Sequence, residues 1–169
     1  MNNKLEILIK EKISDLKILD VISRVAEKDN VGVYAVGGFV RDLILNRERN
    51  DLDILVIGSG TDFAKSVADE LGITNVSYFK NFGTAHFDFR EMNIEFVGAR
   101  KESYDHNTRK PIVEDGTFEE DISRRDFTIN TLAISLNINE IGKLIDKFDG
   151  LSDIKNQLIK TPLDPFNTF

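Results

Sequence analysis

The sequence predicts a mixed α/β fold, and three observations carry that reading. Residues 4–29 repeat apolar side chains at three- and four-residue spacing, the period of an amphipathic helix. Shorter runs further on alternate apolar and polar residues, as half-buried strands do. Gly37-Gly38, Gly58-Ser59-Gly60 and the charged loop Asn46-Arg47-Glu48-Arg49-Asn50 punctuate the two patterns, so helices and strands interleave.

The 169 residues suit one domain with at most a short appendage, and 41% apolar residues with twelve Phe supply a core. No apolar run approaches the roughly 18 residues of a membrane span, and the N-terminal stretch is too charged for a signal peptide. Without cysteine there is no disulfide framework and no thiolate metal site. The expected location is cytoplasmic, with no membrane partner. The net charge of −7 bears on function, because a domain that holds nucleic acid unaided usually presents a basic surface. Any RNA partner is therefore expected to be held mainly by something else, although ordinary solubility explains the acidity equally well.

In the first segment Leu5, Ile9, Ile13, Leu16, Leu19 and Ile22 fall on one face, and Ser14 or Asp15 is placed to cap a second piece, leaving one helix or two open. The polar face mixes both charge signs, which marks packing and not a membrane surface. Val31–Val36 reads as a strand ended by Gly37-Gly38. Val40, Leu43 and Ile44 give a short helix, and Asp51–Ile57 a second strand. Thr61 or Asp62 is the expected cap of a helix that stops at Gly72. Val76–Phe79 reads as a strand, and Thr84–Phe89 with Met92–Val97 as a hairpin about Arg90-Glu91. From Arg100 to Gly116 the periodicity is lost, which predicts a long mobile loop over Lys101–Gly116. Phe118–Ser123 and Thr128–Leu136 are expected as helices, Lys143–Ile145 as a strand and Leu151–Ile159 as a last helix. The proline-bearing tail from Thr161 is expected to break all regular structure.

Asp51 and Asp53 alternate in a strand, so both carboxylates share a face about 7 Å apart at Cα. That spacing suits a pair of divalent cations about 3.5–4 Å apart, which clamp the attacking and leaving oxygens of a phosphoryl transfer. Taken alone, the pair reads equally as a solvated strand start. Gly37-Gly38 either lets backbone N–H groups approach a triphosphate, with Arg41 on the following helix gripping phosphate oxygens, or serves a tight turn. A third carboxylate comes from Glu95, opposite core-facing Ile94 and Phe96, or from Asp88, which alternates with Phe87 and Phe89; both also fit a polar sheet face. Arg124 and Arg125 call for an anion nearby, either a triphosphate or the run Glu119-Glu120-Asp121, in which Glu120 and Arg124 have ion-pair spacing. His86 and His106 lie apart in a strand and a loop and make no zinc site.

In order and spacing GGFVRD, DLD, EEDISRRDFTINTLAI and GKLIDKFDGLSDI resemble the head domain of class II tRNA nucleotidyltransferases, the CCA-adding enzymes and bacterial poly(A) polymerases. The likeness covers Val31 to Thr161. It implies the nucleotidyltransferase fold of DNA polymerase beta: a small mixed or antiparallel sheet flanked by helices, over residues 31–160. Residues 1–30 are then a packed helical segment, and residues 161–169 begin a connection. It further implies that Asp51 and Asp53 hold two Mg²⁺ ions with Glu95 as third carboxylate, preceding the family's arginine at Arg100. Gly37, Gly38, Arg41, Arg125, Asp126 and Asn130 contact the nucleotide. ATP and CTP are then the substrates and an RNA 3′ end, tRNA above all, the acceptor.

In the family a neck with an EDxxR-type motif reads the incoming base, and body and tail hold the tRNA. No neck equivalent of that motif is found, so an isolated head is expected, with base choice, acceptor and oligomeric state left open. The same motifs fit a poly(A) polymerase or an enzyme adding only A or only CC. RRDFTIN argues against a small-molecule nucleotidyltransferase. The order of charged loop, aspartates and apolar run argues against a haloacid-dehalogenase phosphatase. A nucleotide-binding module without catalysis predicts binding that survives loss of both aspartates.

Overall fold

The computed structural model describes residues 2–79, 82–104 and 111–168. The N-terminal segment is two helices, α1 (Asn2–Ser14) and α2 (Lys17–Asp29), broken at the non-helical Leu16. Strand β1 (Val33–Val36) leads through Gly37 into the short helix α3 (Gly38–Ile44), and β2 (Asp51–Val56) follows the charged loop. Helix α4 (Gly60–Leu71) is capped by Ser59, whose hydroxyl accepts from Asp62 N–H, and not by Thr61 or Asp62 as expected; it ends at Gly72 with φ of 68°. Then come β3 (Ser77–Phe79) and the hairpin β4 (Thr84–Phe89) and β5 (Met92–Gly98).

Further expectations are corrected. Where a long loop is expected, β6 (Arg100–Tyr104) and β7 (Pro111–Asp115) pair as an antiparallel ribbon. Cross-strand backbone bonding does not require apolar alternation, so it left no periodic mark. Residues 105–110, with His106, lie outside the described residues. Thr128–Leu136 is not a helix either. After α5 (Phe118–Ser123), a 3-10 turn at Thr128–Asn130 precedes the strand β8 (Ala133–Ser135), whose pairing with β1 overrides the local helical spacing. Strand β9 (Leu144–Ile145) and helix α6 (Gly150–Asn156) follow. The tail holds a helical turn, α7 (Pro165–Thr168), with proline at its first position, where no N–H is needed.

Seven strands form one sheet in the order β3-β4-β5-β2-β1-β8-β9, with β2 and β5 parallel and every other pair antiparallel. One face is buried under the helices: Ile22, Val25, Phe63 and Val67 join Leu52, Ile54, Ile94 and Phe96 in the main core. On the other face Phe118 and Ile122 of α5 cover Val36, Leu55 and Ala133. That covers β2 at Leu55 and leaves its beginning open, where Asp51 is exposed and Asp53 half-buried.

Candidate active site

The strand alternation expected for Asp51-Leu52-Asp53-Ile54 is present: Leu52 and Ile54 are fully buried while both aspartates turn to the open face. Parallel pairing sets Asp53 beside Glu95 and Asp51 beside Asn93. The β4–β5 pairing extends these rows to His86 and Asp88. Asn93 Nδ2 donates to Asp51 Oδ1 at 3.1 Å, and His86 Nε2 lies 3.4 Å from Asp88 Oδ1. Glu95 therefore adjoins Asp53 directly, whereas Asp88 is in the Asp51 row, one strand beyond Asn93. Burial pushes the Asp53 carboxyl above the ordinary carboxylate value, Asp51 adds to the rise, and Arg125 and Arg49 oppose it. Burial likewise raises Glu95, followed by the charge of Asp53, against His86 and Arg100.

The glycine turn closes the site opposite. Gly37 has φ of 73° and ψ of −135°, a conformation nearly confined to glycine, and its N–H donates to Leu132 O at 3.1 Å. This ties the end of β1 to the segment entering β8. A Cβ on Gly37 would lie 3.1 Å from Arg125 Nη1 and 3.7 Å from Asp53 Oδ2, so the missing side chain is what lets these groups converge. On the neighbouring residue, a Cβ on Gly38 would lie 2.5 Å from Arg49 Nη1.

The guanidiniums are held by buried carboxylates. Arg41 Nε and Nη2 donate to Asp42 at 2.9 and 3.0 Å, its Nη1 donates to Asn130 Oδ1 at 2.8 Å, and Asn130 Nδ2 donates to Asp126 Oδ1 at 3.0 Å. Arg49 Nη1 donates to Asp42 Oδ2 at 2.8 Å. The hydrogen bond from Arg41 holds the Asp42 carboxyl below its ordinary value, burial opposing and Arg49 reinforcing. Asp121, fully buried, takes Arg124 Nη2 at 2.7 Å and Arg125 Nη2 at 3.2 Å and accepts from Arg100 N–H at 3.3 Å. Of the acidic run it is Asp121 that takes the arginines, and not Glu120, whose spacing to Arg124 also suits a pair, because Glu120 closes a capping box with Thr117 at the start of α5. Beneath the turn, Asp153 of α6 accepts from Thr128 Oγ1 at 2.6 Å.

Every residue predicted for the site thus lies on this face or in the network behind it. Sequence reading missed Arg49, Asp42 and Asp153, whereas Asp121 belongs to the acidic run offered as an anion for Arg124 and Arg125, which follow it at helical spacing. Arg49 left a signal, since it precedes Asp51 by two residues, the strand period. Asp42 and Asp153 left none.

For a metal, the donors fit. Two carboxylates on one face are hard oxygen ligands of the kind divalent magnesium takes, and their mutual repulsion is what a cation relieves. Among the described residues no three His, Asp or Glu side chains converge on one point as they stand. Asp51 is turned to Asn93 and lies 3.7 Å from Arg49 Nε.

A family model described as the poly(A) polymerase head domain matches residues 33–160. The chain is 45% identical over 127 residues to the A-adding tRNA nucleotidyltransferase of Aquifex aeolicus, covering 75% of this chain and 15% of that protein. Of solved structures, an apo CCA-adding enzyme superposes with a TM-score of 0.83 at 34% identity, over 92% of this chain and 37% of the other. A tRNA nucleotidyltransferase solved with a primer tRNA and an incoming ATP analogue gives 0.74 at 39% identity, over 84% and 39%. The chain spans less than half the length of these relatives.

Proposed function

The chain belongs to the poly(A) polymerase head-domain family, and from that membership we propose that it is the catalytic head of an RNA nucleotidyltransferase. It transfers AMP or CMP from ATP or CTP to an RNA 3′ end, tRNA being the acceptor its relatives' names point to. The observation that carries the reading is the Asp51–Asp53 pair facing a glycine turn bracketed by two guanidiniums. Carboxylates without such cations repel a triphosphate; cations without carboxylates bind it and cannot hold the metal that its chemistry uses.

Asp51 and Asp53 hold Mg²⁺, with Glu95 as third carboxylate beside Asp53. Bound there, the ions neutralise phosphate charge and lower the barrier to attack by the RNA 3′-hydroxyl on the α-phosphorus. The chain's own part is positioning. Gly37 and Gly38 bare their backbone to the phosphates, Arg125 meets phosphate and ribose, and the chain Arg41–Asn130–Asp126 fixes the turn that carries it. The new bond joins the 3′-oxygen to the α-phosphorus as the bridge to the β-phosphate breaks, and pyrophosphate leaves. No described helix is long and apolar enough to cross a membrane.

Addition of A alone is the second reading, favoured by the 45% identity to an A-adding enzyme. Titrating ATP and CTP with Mg²⁺ into the chain and into Asp51→Ala/Asp53→Ala tests the proposal. Metal-dependent binding, lost in the double variant and equal for both bases, is expected. Binding that survives the double substitution contradicts catalysis here and favours a nucleotide-binding module.

A further inference from the structure

We infer that Arg49 is a phosphate-binding residue of this site, taking the pyrophosphate end of the nucleoside triphosphate; the inference rests on the nucleotidyltransferase reading above. Its guanidinium lies over Gly38, as that of Arg125 lies over Gly37, so the two bracket the glycine backbone. The Gly37 position faces Arg125, proposed to meet phosphate and ribose, together with Asp53 Oδ2. The Gly38 position faces Arg49, leaving that guanidinium for the rest of the phosphate chain.

Arg49 also has donors to spend. Of the five N–H groups of a guanidinium, one makes a hydrogen bond among the described residues, Nη1 to Asp42 Oδ2 at 2.8 Å. Its Nε is buried and without a hydrogen-bond partner among the described residues, and so is the Nε of Arg125. A buried unbonded donor is costly unless a ligand takes it up. Arg49 Nε stands 3.7 Å from Asp51 Oδ2, an ion pair too long to be a hydrogen bond. Were Asp51 to hold a cation, Arg49 would be free of that contact while Asp42 kept it anchored. Arg49 also lines a groove with Lys12, Arg47, Glu48, Asn50 and Glu91, which gives the side chain room.

A purely structural role predicts something different, because a latch between Asp42 and Asp51 is blind to how many phosphates the nucleotide carries. The test is calorimetric titration of ATP, AMP and inorganic pyrophosphate, with Mg²⁺, into the chain, Arg49→Gln and Arg49→Lys. Arg49→Gln is expected to weaken ATP and pyrophosphate about 10- to 100-fold and to leave AMP unchanged. Arg49→Lys restores the charge without the planar fork and recovers part of the loss. Equal weakening of ATP and AMP, or ATP binding indifferent to Arg49→Gln, overturns the inference. Those outcomes leave the underlying function standing so long as Asp51→Ala/Asp53→Ala still abolishes metal-dependent ATP binding in the same titration. Survival of binding in that double variant overturns the function itself.

Discussion

The carboxylate half and the guanidinium half of the site face each other across Gly37 and are built by different means. Asp51, Asp53 and Glu95 stand on adjacent parallel strands, and their orientation follows from strand alternation and one register, Asp53 beside Glu95. The guanidiniums come from α3, from the loop before β2 and from the turn after α5. Nothing periodic relates them; they are held by Asp42 and Asp121, one nearly and one fully buried. The halves also differ electrostatically. Burial strains the carboxylate half, raising Asp53 and Glu95, whereas in the other half hydrogen bonds from Arg41 and Arg49 lower Asp42. A site assembled this way keeps its strain on the carboxylate side and its stabilising pairs on the guanidinium side.

Substitution separates the two. Asp51→Ala/Asp53→Ala is expected to lower nucleotidyl transfer by about 10³-fold or more, because the cation's charge stabilisation is lost, while thermal unfolding stays at or above that of the parent chain. Asp121→Ala acts on the opposite half. It leaves Arg124 and Arg125 beside an emptied carboxylate position, and urea denaturation should register a loss of about 3–5 kcal/mol. A loss under about 1 kcal/mol there would mean the guanidiniums are held by something other than Asp121.

Gly37→Ala probes the seam. The left-handed φ and the 3.1 Å approach to Arg125 Nη1 lead to an expected cost of about 1–3 kcal/mol, read by melting, with weakened ATP binding alongside. Smaller and opposite in sign, Asp53→Asn should stabilise the chain by about 0.5–2 kcal/mol while removing metal-dependent binding, since it relieves a buried charge.

The pH dependence has opposite slopes in the two halves. Asp42, lowered on folding, contributes stability that is complete above the ordinary carboxylate value and is lost as pH falls through its depressed one. Asp53 and Glu95, raised on folding, bind protons more tightly in the native state, so stability declines as pH rises from the ordinary carboxylate value through the raised ones. In melting curves across the acid range, Asp42→Asn should flatten the first slope and Asp53→Asn the second. If Asp53→Asn leaves the second slope unchanged, its carboxyl is not the strained one.

The sequence by itself determined the local parts. The helical period of residues 4–29, the alternation at Asp51 and Asp53, the hairpin about Arg90-Glu91 and the glycine stop at Gly72 are consequences of neighbours along the chain, and local geometry fixes them. The ordered motifs added the family, which the matched residues 33–160 bear out. The tertiary structure alone decided what depends on distant partners. Ala133–Ser135 became a strand because β1 offered an edge to pair with, against its own helical spacing. Arg100–Tyr104 became ribbon because Pro111–Asp115 came back alongside it. Asp42 gathered Arg49, and Asp153 reached Thr128 from 25 residues away, through burial that makes an unpaired charge or hydroxyl expensive. Spacing can announce a face, but which two faces meet is settled by the packing of the whole chain.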